Sequence, residues 1–482
     1  MHPTNHAVEP WPLPWARHHY GEDNPVGAEV PVVHLGVDAA LRAQSSGERV
    51  YSIRSLEALS SRVSELTQLQ HLMLAAETAP ELPAEICGLK HLQKLIVRGS
   101  GLTQLPEQLG LLRQLSVLDA SECRLQRLPR SIGALDALRT LILEENRLQK
   151  LPEELGALEE LRELDLAENV ISHLPVAQGN FPRLRRLVLS SNPLEYLPSK
   201  LTELPVLQQF SISHCGRLPP SRLHSITAAL VHLLSLEVDG LDFGPAALTL
   251  PPRLQHLRWC DAPRQRSKIE PHPELRELIL RGHGQQKCPE WLKELPRLRL
   301  LDLGRNQIKQ WSLGSSALPN LKSLSLSGNE FRTMPYMEIP LQTLDLYGNS
   351  LEQLPLAAIP SSLEVLNASY NDIRAISGTL STGNALRELN LRDNHLRQLS
   401  LSGLHLQRLD LSGNPLKQID LDSNSGHLKE LRLNRTYVDD ALIHRVLAES
   451  PSITRLEIRN TPAAAQGPTL AAVYPEVAIL YR

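Results

Sequence analysis

The stretch LRRLVLSSNPLEYLP, residues 184–198, places its leucines at spacings that fit neither a single helix nor a single strand. An amphipathic helix repeats its apolar residues about every 3.6 positions and a half-buried strand about every 2, so a short segment that follows both rules in turn must bend. The stretch begins with the pattern L-x-x-L-x-L-x-x-N, whose nine positions we number one to nine. The same pattern recurs along the chain.

Position one recurs at a constant interval of 23 residues in the first half of the chain, at Leu69, Leu92, Leu115, Leu138, Leu161, Leu184 and Leu207. It continues at intervals of 20 to 26 residues at Leu233, Leu254, Leu275, Leu298, Leu321, Leu341, Leu363, Leu386, Leu406, Leu428 and Ile453. These 18 units indicate a repeat architecture, in which each unit is one supersecondary element that stacks on its neighbours.

Each unit is predicted to contain a short parallel strand at its L-x-L portion. Alternate strand residues face opposite sides, so the leucines point inward and stacked units share one continuous core. The ninth position is asparagine in half of the units, at Asn146, Asn169, Asn192, Asn306, Asn329, Asn349, Asn371, Asn394 and Asn414. Cys123 and Cys215 occupy the same position in two others.

These repeats resemble the leucine-rich repeat family, and the resemblance extends from Leu69 to about Thr461. It implies an α/β solenoid, a curved horseshoe with a parallel β-sheet on its concave face. The convex face is expected to carry short helices, 3₁₀ turns or extended segments. The resemblance also implies that the ninth-position asparagine bonds the backbone of the turn after the strand. The compact units after Leu298 resemble those of bacterial type III secreted leucine-rich-repeat effectors.

The repeat pattern predicts six segments. Residues 1–48, rich in proline, are expected to be extended or disordered and to include a secretion signal, and residues 49–68 to form an N-terminal cap or degenerate repeat. A first subarray of 23-residue units covers 69–230, irregular repeats and a junction cover 231–297, a second subarray covers 298–461, and 462–482 form a C-terminal cap. L-P-x-x-hydrophobic-G-x-L segments such as LPRSIGAL at 128–135 predict helical turns on the convex side of the first subarray. The shorter units of the second predict an extended convex side.

Bulk composition narrows the classes of partner. The formal net charge of −3 over 482 residues gives no basic field for nucleic acid or an anionic membrane, and we expect neither. The N-terminus lacks the apolar core of a signal peptide, and the most apolar later run, at 226–238, is shorter than a membrane span. Five scattered cysteines indicate reducing surroundings. We expect a monomer without cofactors, in a host cell cytosol reached by a type III route or, alternatively, in the cytoplasm of the producing cell.

Candidate binding residues are the non-leucine strand positions, which face the concave side. Three adjacent units present an acidic patch of Asp119, Glu122, Glu144, Glu145, Glu163, Asp165 and Glu168. Tyr347 and Tyr370 lie on neighbouring strands further along. The last units present Arg392, Arg408 and Arg432 among interleaved acids. The acids are either a solvated face or a docking site for a basic surface, and tyrosine and arginine are frequent interface anchors.

No catalytic constellation is present in the sequence. Histidines and cysteines are spread over different repeats, and neither a nucleophile elbow nor a phosphate-binding loop occurs. His214 with Cys215, Cys260, and His283 with Cys288 lack the paired spacing of zinc ligands, so no metal site is predicted. The resemblance leaves three functions open: a non-enzymatic scaffold that binds a protein on its concave face, which we favour as a secreted effector; a ubiquitin ligase or ligase adaptor, although no catalytic domain is recognisable; and a resident cytoplasmic scaffold.

Overall fold

A computed structural model describes most of the chain. The described residues are 33–46, 50, 52–55, 59–74, 81–174, 181–244, 246–262, 268–314, 316–380, 383–401, 405–421 and 427–482. Within them one parallel sheet of 21 strands runs the length of the array, and each strand pairs with that of the next unit. Eighteen strands belong to the 18 predicted units. The sheet therefore confirms the predicted solenoid.

The sheet strands are short. In chain order they are β1 Val33–Leu35, β2 Ser52–Ser55, β3 His71–Leu74, β4 Lys94–Ile96, β5 Val117–Asp119, β6 Thr140–Ile142, β7 Glu163–Asp165, β8 Arg186–Val188, β9 Gln209–Ser211, β10 Ser235–Glu237, β11 His256–Arg258, β12 Glu277–Ile279, β13 Leu300–Asp302, β14 Ser323–Ser325, β15 Thr343–Asp345, β17 Val365–Asn367, β19 Glu388–Asn390, β21 Arg408–Asp410, β23 Glu430–Arg432, β24 Arg455–Glu457 and β25 Ala478–Leu480. Four further strands, β16 Gln353–Pro355, β18 Ala375–Ser377, β20 Gln398–Leu401 and β22 Gln418–Leu421, lie outside this sheet.

The repeat leucines form the core. In the unit that starts at Leu138, the leucines at positions one, four and six, Leu138, Leu141 and Leu143, are fully buried. Burying such a side chain contributes roughly 1.5 to 3 kcal/mol, which offsets the conformational entropy lost when each unit is ordered. Because the leucines of one unit pack on those of the next in a single cluster, no unit is stable alone.

The ninth-position asparagines tie each unit to the one before it. The Asn146 Nδ2 group donates to the carbonyls of Leu143 at 3.0 Å in its own unit and of Ala120 at 2.8 Å in the preceding unit. Its Oδ1 accepts the Leu125 N–H at 2.9 Å. The same arrangement recurs at Asn169, Asn192, Asn329, Asn371 and Asn394. The expected bonds within the turn are present, and the bonds between units extend them.

Position eight is left-handed throughout the array. Its φ lies between 50° and 73° in every unit whose position eight is described. Glycine adopts this conformation readily, and six units use it, but eleven use other residues. One of these is Tyr370, at φ 54°. The left-handed residue turns the chain out of the sheet immediately before the buried ninth position.

The convex side differs between the two halves of the array, as predicted. In the first half it is built mainly from single 3₁₀ turns, entered through proline in most units. The 3₁₀ turns are Ser61–Glu65, Ala84–Gly88, Leu109–Leu111, Arg130–Ala134, Glu153–Ala157, Ser199–Glu203, Glu290–Glu294, Leu356–Ala358 and Pro462–Gln466. In the second half the convex side is partly extended, and β16 pairs with β18 and β20 with β22. The described residues also form four α-helices: α1 Val37–Ser45, α2 Pro220–Ala229, α3 Asp440–Glu449 and α4 Gly467–Val473.

The terminal segments extend the array. The prediction that residues 1–48 are extended or disordered is wrong for 33–46, where β1 and α1 form. The rest of this segment, 1–32 and 47–48, lies outside the described residues. The helix forms because Val37 and Ala40 lie on one face and are buried. In the next segment Val50 and Ile53 are buried like the leucines at positions one and four, which is the behaviour of a degenerate repeat. At the other end β25 adds a parallel strand after the last unit.

The sheet also continues without interruption through residues 231–297. Strands β9 to β13 pair in consecutive order across this segment. The irregular residues that precede it include α2, which replaces a 3₁₀ turn on the convex side. A change in unit length is thus absorbed outside the sheet, and the concave surface remains continuous.

Candidate functional site

The aspartates at position five of two units of the acidic patch bond the backbone of their own unit. The Asp119 Oδ1 accepts the Ser121 N–H at 3.1 Å, and the Asp165 Oδ1 accepts the Ala167 N–H at 3.0 Å. A carboxylate that bonds the backbone two residues later forms an Asx turn, which here stabilises the bend after the strand. Burial raises the pKa of Asp165 more than Arg186 lowers it. Two of the seven predicted acidic binding residues therefore have a role within their own unit.

Two further acids of the patch have cationic partners. Glu122 is paired with Arg98, and Glu163 with Arg186 at 3.0 Å. Exposed pairs of this kind contribute little stability, typically below 1 kcal/mol, but they neutralise the charge that a partner would meet. Neither glutamate is therefore placed at the centre of the candidate site.

The remaining three acids, Glu144, Glu145 and Glu168, form what we call the glutamate cluster. One carboxylate oxygen from each lies within 4.8 Å of the others. Among the described residues no lysine, arginine or histidine nitrogen lies within 4.0 Å of any of the three. Burial, reinforced by Asp165, Glu145 and Glu168, raises the pKa of Glu144. The fold gains nothing from three adjacent like charges, whereas a bound cationic group would relieve their repulsion.

The cluster offers only carboxylate oxygens. Oxygen ligands suit hard cations such as Ca²⁺, but Glu145 and Glu168 are exposed and nothing else in the described residues points to an ion at this place. The expectation that the chain holds no metal thus stays a prediction. The arrangement fits the ammonium or guanidinium groups of a partner equally well.

Tyr347 and Tyr370 form an aromatic pair on the adjacent units of β15 and β17. Their ring centroids are 5.0 Å apart with an interplanar angle of 51°. Both side chains remain substantially exposed, at 44% and 41%. Tyr370 occupies the left-handed position, where a bulky residue costs about 1–2 kcal/mol relative to glycine. The repeat imposes this conformation at position eight of every described unit, so it is the exposure of two adjacent aromatic rings that marks the pair as a candidate contact.

The three arginines of the last units lie in internal ion pairs. Arg392 contacts Asp393 at 2.9 Å, Arg408 is paired with Glu388, and Arg432 contacts Glu430 at 2.7 Å. Their charge is largely balanced within the sheet. The structure therefore places them on the predicted face but gives no separate reason to regard them as partner contacts.

Sequence reasoning missed a row of buried polar side chains along the concave sheet. At position five of six consecutive units, polar side chains of the concave strands are less than 6% exposed. The row consists of Asp302, Ser325, Asp345, Asn367, Asn390 and Asp410. The signal available in the sequence was the succession of small polar residues at one repeat position.

Asp345 makes this row sensitive to pH. Burial raises its pKa from 3.8 to about 6, although the Tyr347 N–H and the Ser325 hydroxyl bond its carboxylate. A raised folded-state pKa favours the protonated protein, so the contribution of Asp345 to stability is largest below pH 4 and is lost as the pH rises through about 6. We expect Asp345→Asn to remove this loss, which is on the order of 2 kcal/mol.

Urea unfolding midpoints of wild type and Asp345→Asn at pH 4.5 and pH 8 measure the effect. The variant should gain stability relative to wild type between these two pH values. Asp136→Asn is the matched control because Asp136 is exposed and paired with Arg113. An Asp345→Asn variant with the same pH dependence as wild type would show that Asp345 titrates normally.

Of the residues considered as metal ligands, the cysteines and His283 are part of the repeat core, whereas His214 is exposed at the left-handed position eight. All five cysteines are buried and unbridged. Cys215 donates to the Leu189 carbonyl at 3.4 Å from the position where other units place asparagine. His283 occupies the same position and bonds the Trp259 carbonyl, and burial lowers its pKa. These contacts account for the residue types without a metal.

Comparison with known proteins agrees with this geometry. A family model described as a leucine-rich repeat region matches residues 53–142 and 129–340, and a leucine rich repeat model matches 405–426, so that together they cover more than half of the chain. The chain belongs to the leucine-rich repeat family. Members of this family share a fold that serves protein–protein interaction.

Individual relatives are distant. Receptor like protein 28 of Arabidopsis thaliana is 29% identical over 160 residues, which are 30% of this chain and 20% of that protein. The ectodomain of the plant receptor kinase GASSHO1/SCHENGEN3 from Arabidopsis thaliana, solved with CASPARIAN STRIP INTEGRITY FACTOR 2, is 23% identical at a TM-score of 0.53, over 86% of this chain and 55% of that one. YopM from Yersinia enterocolitica is 26% identical at a TM-score of 0.46, over 82% and 79% of the two chains. The plant ectodomain shows the shared fold.

The helices of the leucine-rich repeat array are all short. Within the described part of the chain, none combines the length and the apolar character that crossing a bilayer requires.

Proposed function

We propose that this leucine-rich repeat protein binds a protein partner on its concave sheet, with the glutamate cluster receiving basic side chains of that partner. The observation that carries the proposal is the approach of three carboxylates to within 4.8 Å of one another, with only the influence of Arg98, itself paired with Glu122, to oppose the raised pKa of Glu144. Such an arrangement is costly in the free protein and is relieved by a lysine or arginine. Complementary charge of this kind sets association rate and register more than total affinity.

The tyrosine pair provides a second contact in this proposal. Seven repeats lie between the glutamate cluster and the unit of Tyr347, which gives a distance of roughly 38 Å along the sheet at about 4.8 Å per strand. A ligand that reaches both must have the size of a folded domain or a long polypeptide segment. Exposed tyrosines are typical energetic centres of such interfaces because they bury a large rigid surface at low entropic cost.

The chemistry of the cysteines supports binding rather than catalysis. A cysteine-dependent ubiquitin ligase requires an accessible thiolate. Burial raises the pKa of Cys87, Cys215 and Cys288 to about 11 and that of Cys260 to about 12, so these thiols are protonated at neutral pH. Cys123 is buried as well and donates to the Val97 carbonyl at 3.2 Å.

Charge reversal of the glutamate cluster tests the proposal. Glu144→Lys, Glu145→Lys and Glu168→Lys together should abolish capture of a basic partner from lysate of candidate host cells. The control variant reverses three exposed glutamates of the convex side, Glu85, Glu153 and Glu159, with the same change in net charge. If both variants and wild type capture the same proteins in equal amounts, the cluster is solvated surface.

We further propose that the protein acts as a secreted effector inside another cell. The support is the compactness of the units after Leu298, which resemble those of type III effectors. Export of the full chain, compared with a chain lacking residues 1–45, tests this step. Equal export of both chains would remove the proposed role of the N-terminal segment.

A further inference from the structure

Position two of the repeat, immediately before each strand, carries a row of basic side chains that the concave-face prediction did not include. Six of these residues form two groups of three consecutive units, which we call the basic rim: Arg139, Arg162 and Arg185, then Arg276, Arg299 and Lys322. Arg276 is half-buried and the other five are exposed. The rim lies at the amino ends of the strands, opposite the edge that carries the glutamate cluster.

The members of each group are held in register by the backbone. The Arg162 N–H donates to the Arg139 carbonyl at 2.8 Å, and the Arg185 N–H to the Arg162 carbonyl at 2.8 Å. In the second group Arg299 bonds Arg276 at 2.8 Å, and Lys322 bonds Arg299 at 2.9 Å. Each group therefore places three basic residues side by side at the amino ends of adjacent strands, with their backbones about 4.8 Å apart.

Nearby carboxylates do not balance these charges. Glu160 and Glu163 are paired with Arg183 and Arg186. In the second group Glu274 contacts Arg297 at 2.5 Å. Within the described residues none of the six rim cations has a carboxylate within 4.0 Å. Adjacent like charges destabilise a sheet, so the rim is a cost to folding that a bound anion would remove.

We propose that the basic rim binds an acidic polypeptide segment of a protein partner, aligned along the rim across the strands. The Cβ atoms of glutamates at i and i+4 on one face of a helix are about 5–6 Å apart, close to the backbone spacing of the rim residues. The net charge of −3 means that attraction must come from this local arrangement and not from the protein as a whole. This site is separate from the glutamate cluster and has the opposite charge.

A polypeptide fits the rim better than a nucleic acid does. Single-stranded nucleic acids bind through stacking on aromatic side chains as well as through charge. Positions two and three of the units from Leu92 to Leu321 contain no Phe, Tyr or Trp.

Fluorescence anisotropy with a labelled twelve-residue glutamate-rich helical peptide tests the inference at low ionic strength. We expect each triple Arg/Lys→Gln variant, R139Q/R162Q/R185Q or R276Q/R299Q/K322Q, to weaken binding at least fivefold, and the combination to reduce it to background. R139K/R162K/R185K should retain binding within about threefold because it keeps the charge. The control R113Q/R127Q/R130Q, which changes convex arginines already paired with carboxylates, should bind within twofold of wild type.

Two further arms use a twelve-nucleotide single strand and phosphatidylserine vesicles. Tighter binding of either probe through the rim residues would overturn the acidic polypeptide as occupant. Equal peptide affinity for wild type and both rim variants would overturn the site itself. Since the glutamate cluster is intact in every rim variant, these results are independent of the charge-reversal experiment on the cluster.

Discussion

Asn329→Leu is expected to lower the free energy of unfolding by ~3 kcal/mol or more. The Asn329 side chain donates to the Leu303 and Leu326 carbonyls at 2.9 Å and accepts the Ile308 N–H at 3.0 Å. Leucine has a similar volume but satisfies none of these buried groups. Each buried backbone group left without a partner costs about 1–3 kcal/mol.

Asn320→Leu provides the matched control. Asn320 is exposed and makes one bond, to the Pro296 carbonyl at 2.8 Å. Its replacement should change stability by about 0.5 kcal/mol or less. Urea unfolding followed by circular dichroism compares the two variants with wild type. Similar midpoints for Asn329→Leu and Asn320→Leu would mean that the asparagine bonds between units contribute little.

Gly133→Ala should destabilise the first half of the array by about 2–3 kcal/mol. Gly133 lies in the 3₁₀ turn Arg130–Ala134, against the turn of the next unit. A Cβ at this position would overlap the main-chain oxygen of Glu154 and lie 2.9 Å from its carbonyl carbon. Because the obstacle is backbone, relief requires the two units to move apart.

Gly88→Ala separates this steric effect from the general effect of replacing glycine. Gly88 ends the corresponding turn two units earlier, and a Cβ there meets no heavy atom within 4 Å. Its substitution should be neutral or slightly stabilising, because alanine lowers the entropy of the unfolded chain. Thermal unfolding of the two variants side by side would contradict the packing argument if their midpoints were equal.

The repeat period made most of the fold predictable. The leucines at positions one, four and six identify the strand and its inward face without reference to neighbouring units, and all 18 predicted units contain a strand of the sheet. The N-terminal boundary was less predictable. Val50 and Ile53 take the place of the leucines at positions one and four there, so this unit does not match a pattern defined by leucine. Residues 33–46 contain only one short amphipathic helix and one strand. They follow a proline-rich stretch, so the composition of the whole segment predicts disorder.

The candidate site was predictable in location but not in detail. The sequence showed that acidic residues recur in neighbouring units, but it could not distinguish Glu144 from Glu163. That difference depends on whether an arginine of the next unit reaches the carboxylate. The burial of Asp345 belongs to a row of six consecutive units with small polar residues at position five, a regularity that the leucine pattern does not reveal. The basic rim was missed because position two lies outside the strand that the pattern assigns to the concave face.

Photo-crosslinking tests most directly the claim that the concave sheet is the binding surface. A photoreactive amino acid in place of Ile142, between Asp119 and Asp165 in the sheet, or in place of Tyr370 reports contacts on that face. The same group in place of Arg130 or Glu153 reports contacts on the convex side. The account predicts that crosslinks to a captured partner form at Ile142 and Tyr370 and are absent at Arg130 and Glu153. Crosslinks that form only at the convex positions would contradict it.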